Sequence, residues 1–139
     1  MKTVITFGVF DFLHFGHIRL FRNIRSMVGE PCRLVVIIHT SEYVQQTKPG
    51  TKMLYTTAER IEMLHAIRTI DEVVIHPDSL EYVAGIDFDV FARGEDQNSE
   101  RLLTFDKWCR ENGKEIIRTP RTEGIASSDI KSSIVRDLW

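Results

Sequence analysis

His14 and His17 stand three residues apart, on either side of Phe15 and Gly16. They close the stretch Thr6-Phe7-Gly8-Val9-Phe10-Asp11-Phe12-Leu13-His14-Phe15-Gly16-His17. At that spacing two imidazoles lie on one side of a helical turn. Three uses remain open for such a pair. It could hold a phosphate, serve as a structural pair on an apolar face, or form half of a metal site. A zinc site needs three or four ligands, and His39, His65 and His76 make no second paired motif. The surroundings favour phosphate. An apolar strand (Val4, Ile5, Phe7) runs into a helix with Ile18, Phe21, Ile24 and Met27 three apart. The stretch is therefore a strand-to-helix turn bearing two glycines. A helix N-terminus offers free N–H groups and a positive dipole end to an anion, and glycine lets phosphate oxygens approach the backbone.

Two common phosphate motifs are absent. The chain contains no G-x-x-x-x-G-K-[ST] and no G-x-G-x-x-G, since Gly8 and Gly16 are too far apart. A kinase or a dehydrogenase is thus poorly supported. Basic side chains that could serve an anionic pocket are Lys48 and Lys52 in the segment after the second strand, Arg60 and Arg68 eight residues apart, and Arg121.

Gly8-Val9-Phe10-Asp11 with His14-Phe15-Gly16-His17 resembles the G-[TS]-F-D-x-x-H-x-G-H signature of the cytidylyltransferase-like nucleotidyltransferases. Near the other end, Arg121-Thr122-Glu123-Gly124-Ile125-Ala126-Ser127-Ser128 is similar to the R-T-E-G-I-S-T-T segment of the glycerol-3-phosphate cytidylyltransferases. The likeness covers nearly the whole chain. It implies transfer of CMP from CTP, with magnesium, to a small phosphorylated alcohol, with release of pyrophosphate. The attacking phosphate monoester has a second pKa near ~6, so it is already an anion at neutral pH and needs no strong base. The task left to the protein is to bring anions together and to stabilise charge on the α-phosphate and the leaving group.

By that resemblance His14 and His17 contact the triphosphate and the transition state, each a double donor when protonated. Lys48 (or Lys52) folds over the site. Arg121 and Ser127 hold phosphates, with Ser128 beside them. Phe7, Gly8, Val9, Phe10, Gly16, Gly94, Asp96, Thr122, Gly124 and Ile125 line the nucleotide. Asp11, Arg60, Arg68 and Asp71 serve the acceptor or support the site. The metal ligands are not implied; the phosphates would carry most of the magnesium coordination. A homodimer is also implied. The sequence departs from the family pattern at Val9, Ala126 and Gln97, and the Gly94 loop reads Gly-Glu-Asp where the family has Gly-Asp-Asp. These changes leave the triphosphate chemistry in place and put the acceptor in question. Two alternatives stay open: an adenylyltransferase acting on a phosphorylated cofactor precursor, and a non-catalytic nucleotide-binding subunit.

The elements that must position these residues alternate strand and helix, which predicts an α/β fold: a Rossmann-like parallel sheet with helices on both faces. Strands are expected over 2–7, 34–38, 73–75, 90–92 and 115–118. Helices are expected over 16–28, from Thr56, over 79–84, from Ser99 to near Gly113, and after Ser127, with Ile130, Ile134 and Leu138 inward. Gly29 and Pro31 end the first helix. Residues 40–55 read as a loop without periodicity. In the helix from Thr56, Ala58, Ile61, Leu64 and Ile67 form the expected buried stripe, which leaves Arg60 off the core side.

The 139 residues suit one domain spanning 1–139. A hydrophobic content of 42% with 27% charged residues is that of a globular chain. A net charge of -2 gives no case for nucleic acid. No apolar run approaches the roughly 20 residues of a membrane span, no secretory pattern opens the chain, and the two cysteines read as packed thiols. Together these features lead to the expectation of a cytoplasmic protein.

Overall fold

The computed structural model describes residues 1–76, 83, 85–95 and 99–120. Apart from Val83, the expected helix at 79–84 lies outside these residues, as do the final helix and Asp96, Gln97, Arg121, Thr122, Gly124, Ile125, Ala126, Ser127 and Ser128.

Five strands, β1 (Lys2–Gly8), β2 (Cys32–His39), β3 (Glu72–His76), β4 (Val90–Gly94) and β5 (Glu115–Thr119), form one sheet in the order β3-β2-β1-β4-β5. Every pairing is parallel. The described helices are α1 (Phe15–Val28), α2 (Ser41–Thr47), α3 (Thr57–His65) and α4 (Glu100–Glu111). The fold is the expected Rossmann-like one. Strand residues alternate between its two faces. Val4, Leu34, Val36, Ile38, Val90 and Ala92 pack with Phe21 and Ile24 of α1 and Leu64 of α3. Ile5, Phe7, Val35, Ile37 and Phe91 pack with Phe105 and Cys109 of α4. A sheet covered on both faces explains the unbroken apolar run of β2. Cys32 and Cys109 are both free and buried. Among the described residues no helix is long and apolar enough to cross a membrane.

The chain leaves β1 for β2 on one side, and β4 lies on the other. The switch point of the sheet is therefore at the carboxyl ends of β1 and β4, where open α/β sheets hold ligands. The loop carrying His14 and His17 starts there, and so does the Gly94 loop.

Two expectations about elements are corrected. Residues 40–55 are not all loop, because Thr40 caps the seven-residue helix α2 by accepting from Tyr43 N–H at 3.1 Å. Only Val44 of that helix is buried, so no periodic stripe could reveal it. The stripe on α3 is also different. Leu64 is buried, Ile61 and Ile67 are partly buried, Ala58 is exposed, and Arg60 is fully buried. Arg60 stands four residues before Leu64 and so shares its inward face, a placement that hydrophobic spacing cannot show for a cation.

Candidate active site

His14 is the N-cap of α1, with extended backbone. Its Nδ1 accepts from Gly16 N–H at 3.0 Å, and His17 Nδ1 accepts from His14 N–H at 3.2 Å. Two imidazoles thus build a reciprocal capping box, a role usually filled by Ser or Thr with Glu. The arrangement changes the expected chemistry in two ways. The Gly16 amide is taken by an imidazole and is not open to phosphate. Each Nδ1 is an acceptor, so each neutral ring carries its proton on Nε2. The pair therefore presents two Nε2–H donors, with rings 4.0 Å apart between centroids.

Charge on the pair is suppressed when no anion is bound. Burial, with His14 nearby, pushes the His17 pKa down to about 4, and burial lowers that of His14. In the free protein both rings are therefore neutral single donors, and the double-donor form of each would require protonation. His39, at the end of β2, is pushed down to about 3 by burial and by the charges of His76, Arg101 and Arg60. A histidine whose pKa is lower in the folded state takes up protons preferentially on unfolding. Its stabilising effect is complete above pH ~6.5 and is lost as pH falls towards the folded value. Thermal midpoints are therefore expected to fall between pH 6.5 and 4. The His39→Gln variant should show a shallower fall than the parent over that window, and equal slopes would contradict the assignment.

Phe10 adopts a left-handed backbone (φ 52°) and turns its ring back into the protein. The ring packs against Phe21 and edge-on to His17, at 5.5 and 5.3 Å. A Cβ placed on Gly8 would lie 2.5 Å from that ring. Glycine is needed at position 8 because Phe10 covers it. Gly8→Ala is expected to cost ~1–3 kcal/mol through overpacking, measured by urea denaturation. Phe7 and Phe10 are both buried, so they shape the loop from below; Phe7 packs on Phe91, Phe105 and His76.

Arg60 ties the loop together. Its Nη1 donates to Val9 O at 2.7 Å and to His39 O at 2.8 Å, and its Nη2 donates to Ser41 Oγ and Thr57 Oγ1. Burial works against its charge, and the carboxylates of Asp11 and Glu42 offset this. One guanidinium thus joins the ends of β1 and β2 to the starts of α2 and α3. Of its two expected roles, support of the site is the one its contacts serve. Asp11 likewise accepts from Leu54 N–H and Tyr55 N–H at 2.9–3.0 Å, which anchors the segment after α2 to the histidine loop. Lys48 ends α2 and Lys52 follows it; both are exposed.

Two of the expected acceptor residues lie elsewhere. Asp71 accepts from Leu34 N–H and from Arg25 Nη1, near the amino ends of β2 and β3. That is the edge of the sheet opposite the histidines, so Asp71 is a structural link there. Arg68 lies beyond α3, exposed, in the turn leading to the same edge. Eight residues would place Arg60 and Arg68 on one helical face, but α3 stops at His65.

On the β4 side, Arg93 is fully buried and makes a bidentate contact to Asp106 of α4, with Nη2–Oδ2 at 2.7 Å. Arg93 Nη1 also reaches Gly94 O at 3.4 Å. The pair fixes the start of the Gly94 loop against α4.

A cleft of about 210 Å³ opens beside the histidine loop, lined by Phe7, Gly8, Val9, His39, Tyr43, His76, Ser99, Arg101 and Leu102. His39 and His76 are register partners on β2 and β3, with rings 4.8 Å apart. Sequence spacing alone did not reveal this second histidine pair, because the two residues are 37 positions apart and only strand register joins them. Tyr43 stacks on His39 at 4.5 Å, and the Arg101 guanidinium lies over the Tyr43 ring at 4.7 Å.

Among the described residues no group of three or more His, Cys, Asp or Glu side chains could hold a metal ion. The histidine pair has both Nδ1 atoms engaged by amides, so the metal half-site reading has no support from its geometry.

The chain is 37% identical over 137 residues to a glycerol-3-phosphate cytidylyltransferase of Staphylococcus aureus, covering 96% of each chain. It is 36% identical over 121 residues to an FAD synthase of Thermococcus sibiricus, covering 84% of this chain and 79% of that one. Its fold is similar to that of a Thermoplasma volcanium protein described as a lipopolysaccharide core biosynthesis protein. The TM-score is 0.74, with 21% identity over 88% of this chain and 99% of the other, a likeness of fold alone. The family model described as cytidylyltransferase-like matches residues 5–137, and the chain belongs to that family.

Proposed function

We propose that the protein is a cytidylyltransferase that moves CMP from magnesium-bound CTP to a small phosphorylated alcohol. One observation carries this reading: two histidines at the switch point of the sheet, locked by their own backbone so that both present an Nε2–H donor. A phosphate oxygen of the acceptor attacks the α-phosphorus of CTP. The bond from that phosphorus to the bridging oxygen of the β-phosphate breaks, and pyrophosphate leaves. No proton need be abstracted, because the attacking phosphate is already ionised. The transition state gathers charge on the α-phosphate oxygens, and fixed donors aimed there need no reorganisation as that charge develops. Neutral imidazoles suit this task, since they donate without requiring a buried charge before the nucleotide arrives. Magnesium, when bound, would neutralise triphosphate charge, and the triphosphate oxygens would supply most of its ligands.

The second substrate is glycerol 3-phosphate or a related phosphate. The likeness to the Staphylococcus aureus enzyme supports that class. The likeness to FAD synthase keeps ATP as a second nucleotide to test. The test is pyrophosphate release with CTP or ATP, magnesium and a panel of phosphorylated alcohols. Release with CTP and not with ATP is expected. Release with ATP alone would replace this reading by adenylyl transfer. Nucleotide binding with no release from any pair would make the chain a non-catalytic binder.

A further inference from the structure

The cleft beside the histidine loop holds a cation whose charge no acid among the described residues balances. Arg101 makes one hydrogen-bond contact, from Nη2 to His76 Nε2 at 3.2 Å, and covers the Tyr43 ring. No carboxylate among the described residues pairs with it. It is half-buried, and burial works against its charge. A guanidinium has five N–H donors, so most of its donor capacity remains open. Because Arg101 cannot accept a hydrogen bond, His76 Nε2 is the acceptor in that contact. His39 is held neutral. Arg101 is the one arginine or lysine among the nine residues that line the cleft, no Asp or Glu lines it, and its other walls are rings, a leucine, a valine, a glycine and the Ser99 hydroxyl. Leaving a partly desolvated cation without an anion is costly, and an incoming oxyanion removes that cost with charge-assisted hydrogen bonds.

The position of the cleft decides which ligand supplies the anion. From Gly8 and Val9 at the end of β1 the cleft extends to His39 and His76 at the ends of β2 and β3, whereas the Gly94 loop lies on the β4 side. With the nucleotide on the β4 side, against the Gly94 loop, the part of the cleft at His39 and His76 falls to the other substrate. We propose that this cleft receives the body of the acceptor, and that Arg101 selects an acceptor with a second anionic group at the end away from the attacking phosphate. This rests on the transferase reading given above. It makes glycerol 3-phosphate, which ends in an uncharged diol, a poorer ligand than an isosteric phosphorylated acid. The volume suits a body of a few carbons.

The test is calorimetric binding to the full chain with a non-hydrolysable CTP analogue in place. The probes are 3-phosphoglycerate, propane-1,3-diol bisphosphate and glycerol 3-phosphate. At least one of the two doubly anionic probes is expected to bind about tenfold more tightly than glycerol 3-phosphate, as a charge-assisted hydrogen bond would give. Which of them does so separates a carboxylate from a second phosphate. Arg101→Gln should abolish the preference while leaving the affinity for the CTP analogue unchanged. Arg101→Lys, which retains the charge, should keep part of the preference and serves if the glutamine variant does not fold. Equal binding of all three probes by the parent, or no binding, would overturn the proposal. So would a preference that survives Arg101→Gln, or a loss of CTP-analogue affinity in its place. Binding is read without turnover, so a failure to release pyrophosphate would sink the transferase reading and leave this result standing.

Discussion

His17→Ala is expected to lower the turnover number for nucleotidyl transfer by about 10²–10³-fold, equivalent to roughly 3–4 kcal/mol of transition-state stabilisation. The KM for CTP should change little, because the Nε2–H donor matters most when charge accumulates on the α-phosphate. The fold should survive. His17 contributes one capping contact, from His14 N–H to its Nδ1, and loss of a cap costs about 0.5–2 kcal/mol. Steady-state kinetics, with circular dichroism as a check on folding, decides the matter. A folded variant with turnover within about twofold of the parent would show that the imidazole only caps the helix.

Asp106→Ala is expected to cost about 3–5 kcal/mol of stability, because it removes the carboxylate to which Nε and Nη2 of a fully buried guanidinium donate. Both side chains are 1% exposed, so water cannot replace the lost partner. Against a typical total of about 5–15 kcal/mol, that is a large share. Replacing both partners with apolar residues of similar volume, Arg93→Met with Asp106→Leu, should be less damaging than the single change, since no charge then remains buried. Urea denaturation of the two variants tests this. A loss below about 1 kcal/mol in Asp106→Ala would mean that the pair is replaceable by other contacts.

Much of the fold was legible in the sequence for identifiable reasons. The buried parallel strands appear as apolar runs such as Leu34 to Ile38. Helix ends appear as Thr56 with Glu59, Ser99, and Gly29, all of which cap as expected. The histidine loop was legible as a strand-to-helix turn with two imidazoles on one side. How those imidazoles act was not legible, because a histidine capping box is formed by Nδ1 geometry that residue types do not encode. Buried cations were the other gap. Arg60 and Arg93 occupy positions that hydrophobicity assigns to the surface, yet each is fully buried. Arg60 is held by two carbonyls and two hydroxyls, and Arg93 donates to the Asp106 carboxylate and to Gly94 O among the described residues. Contacts that depend on register or on chain reversal, such as His39 with His76 and Asp71 with Arg25, also leave no local trace. Asp71 shows the consequence: a motif position suggested an acceptor contact, and the sheet carries it to the opposite edge.

The most direct test of nucleotidyl transfer is to follow CTP labelled at the α-phosphorus through one round of reaction with magnesium and the preferred acceptor. Attack at the α-phosphorus predicts that the label appears in the nucleotide-linked product, with one unlabelled pyrophosphate released for each product formed. Label recovered as free CMP, or product formed with release of a single inorganic phosphate, would place the chemistry elsewhere and contradict the role assigned to the histidine pair.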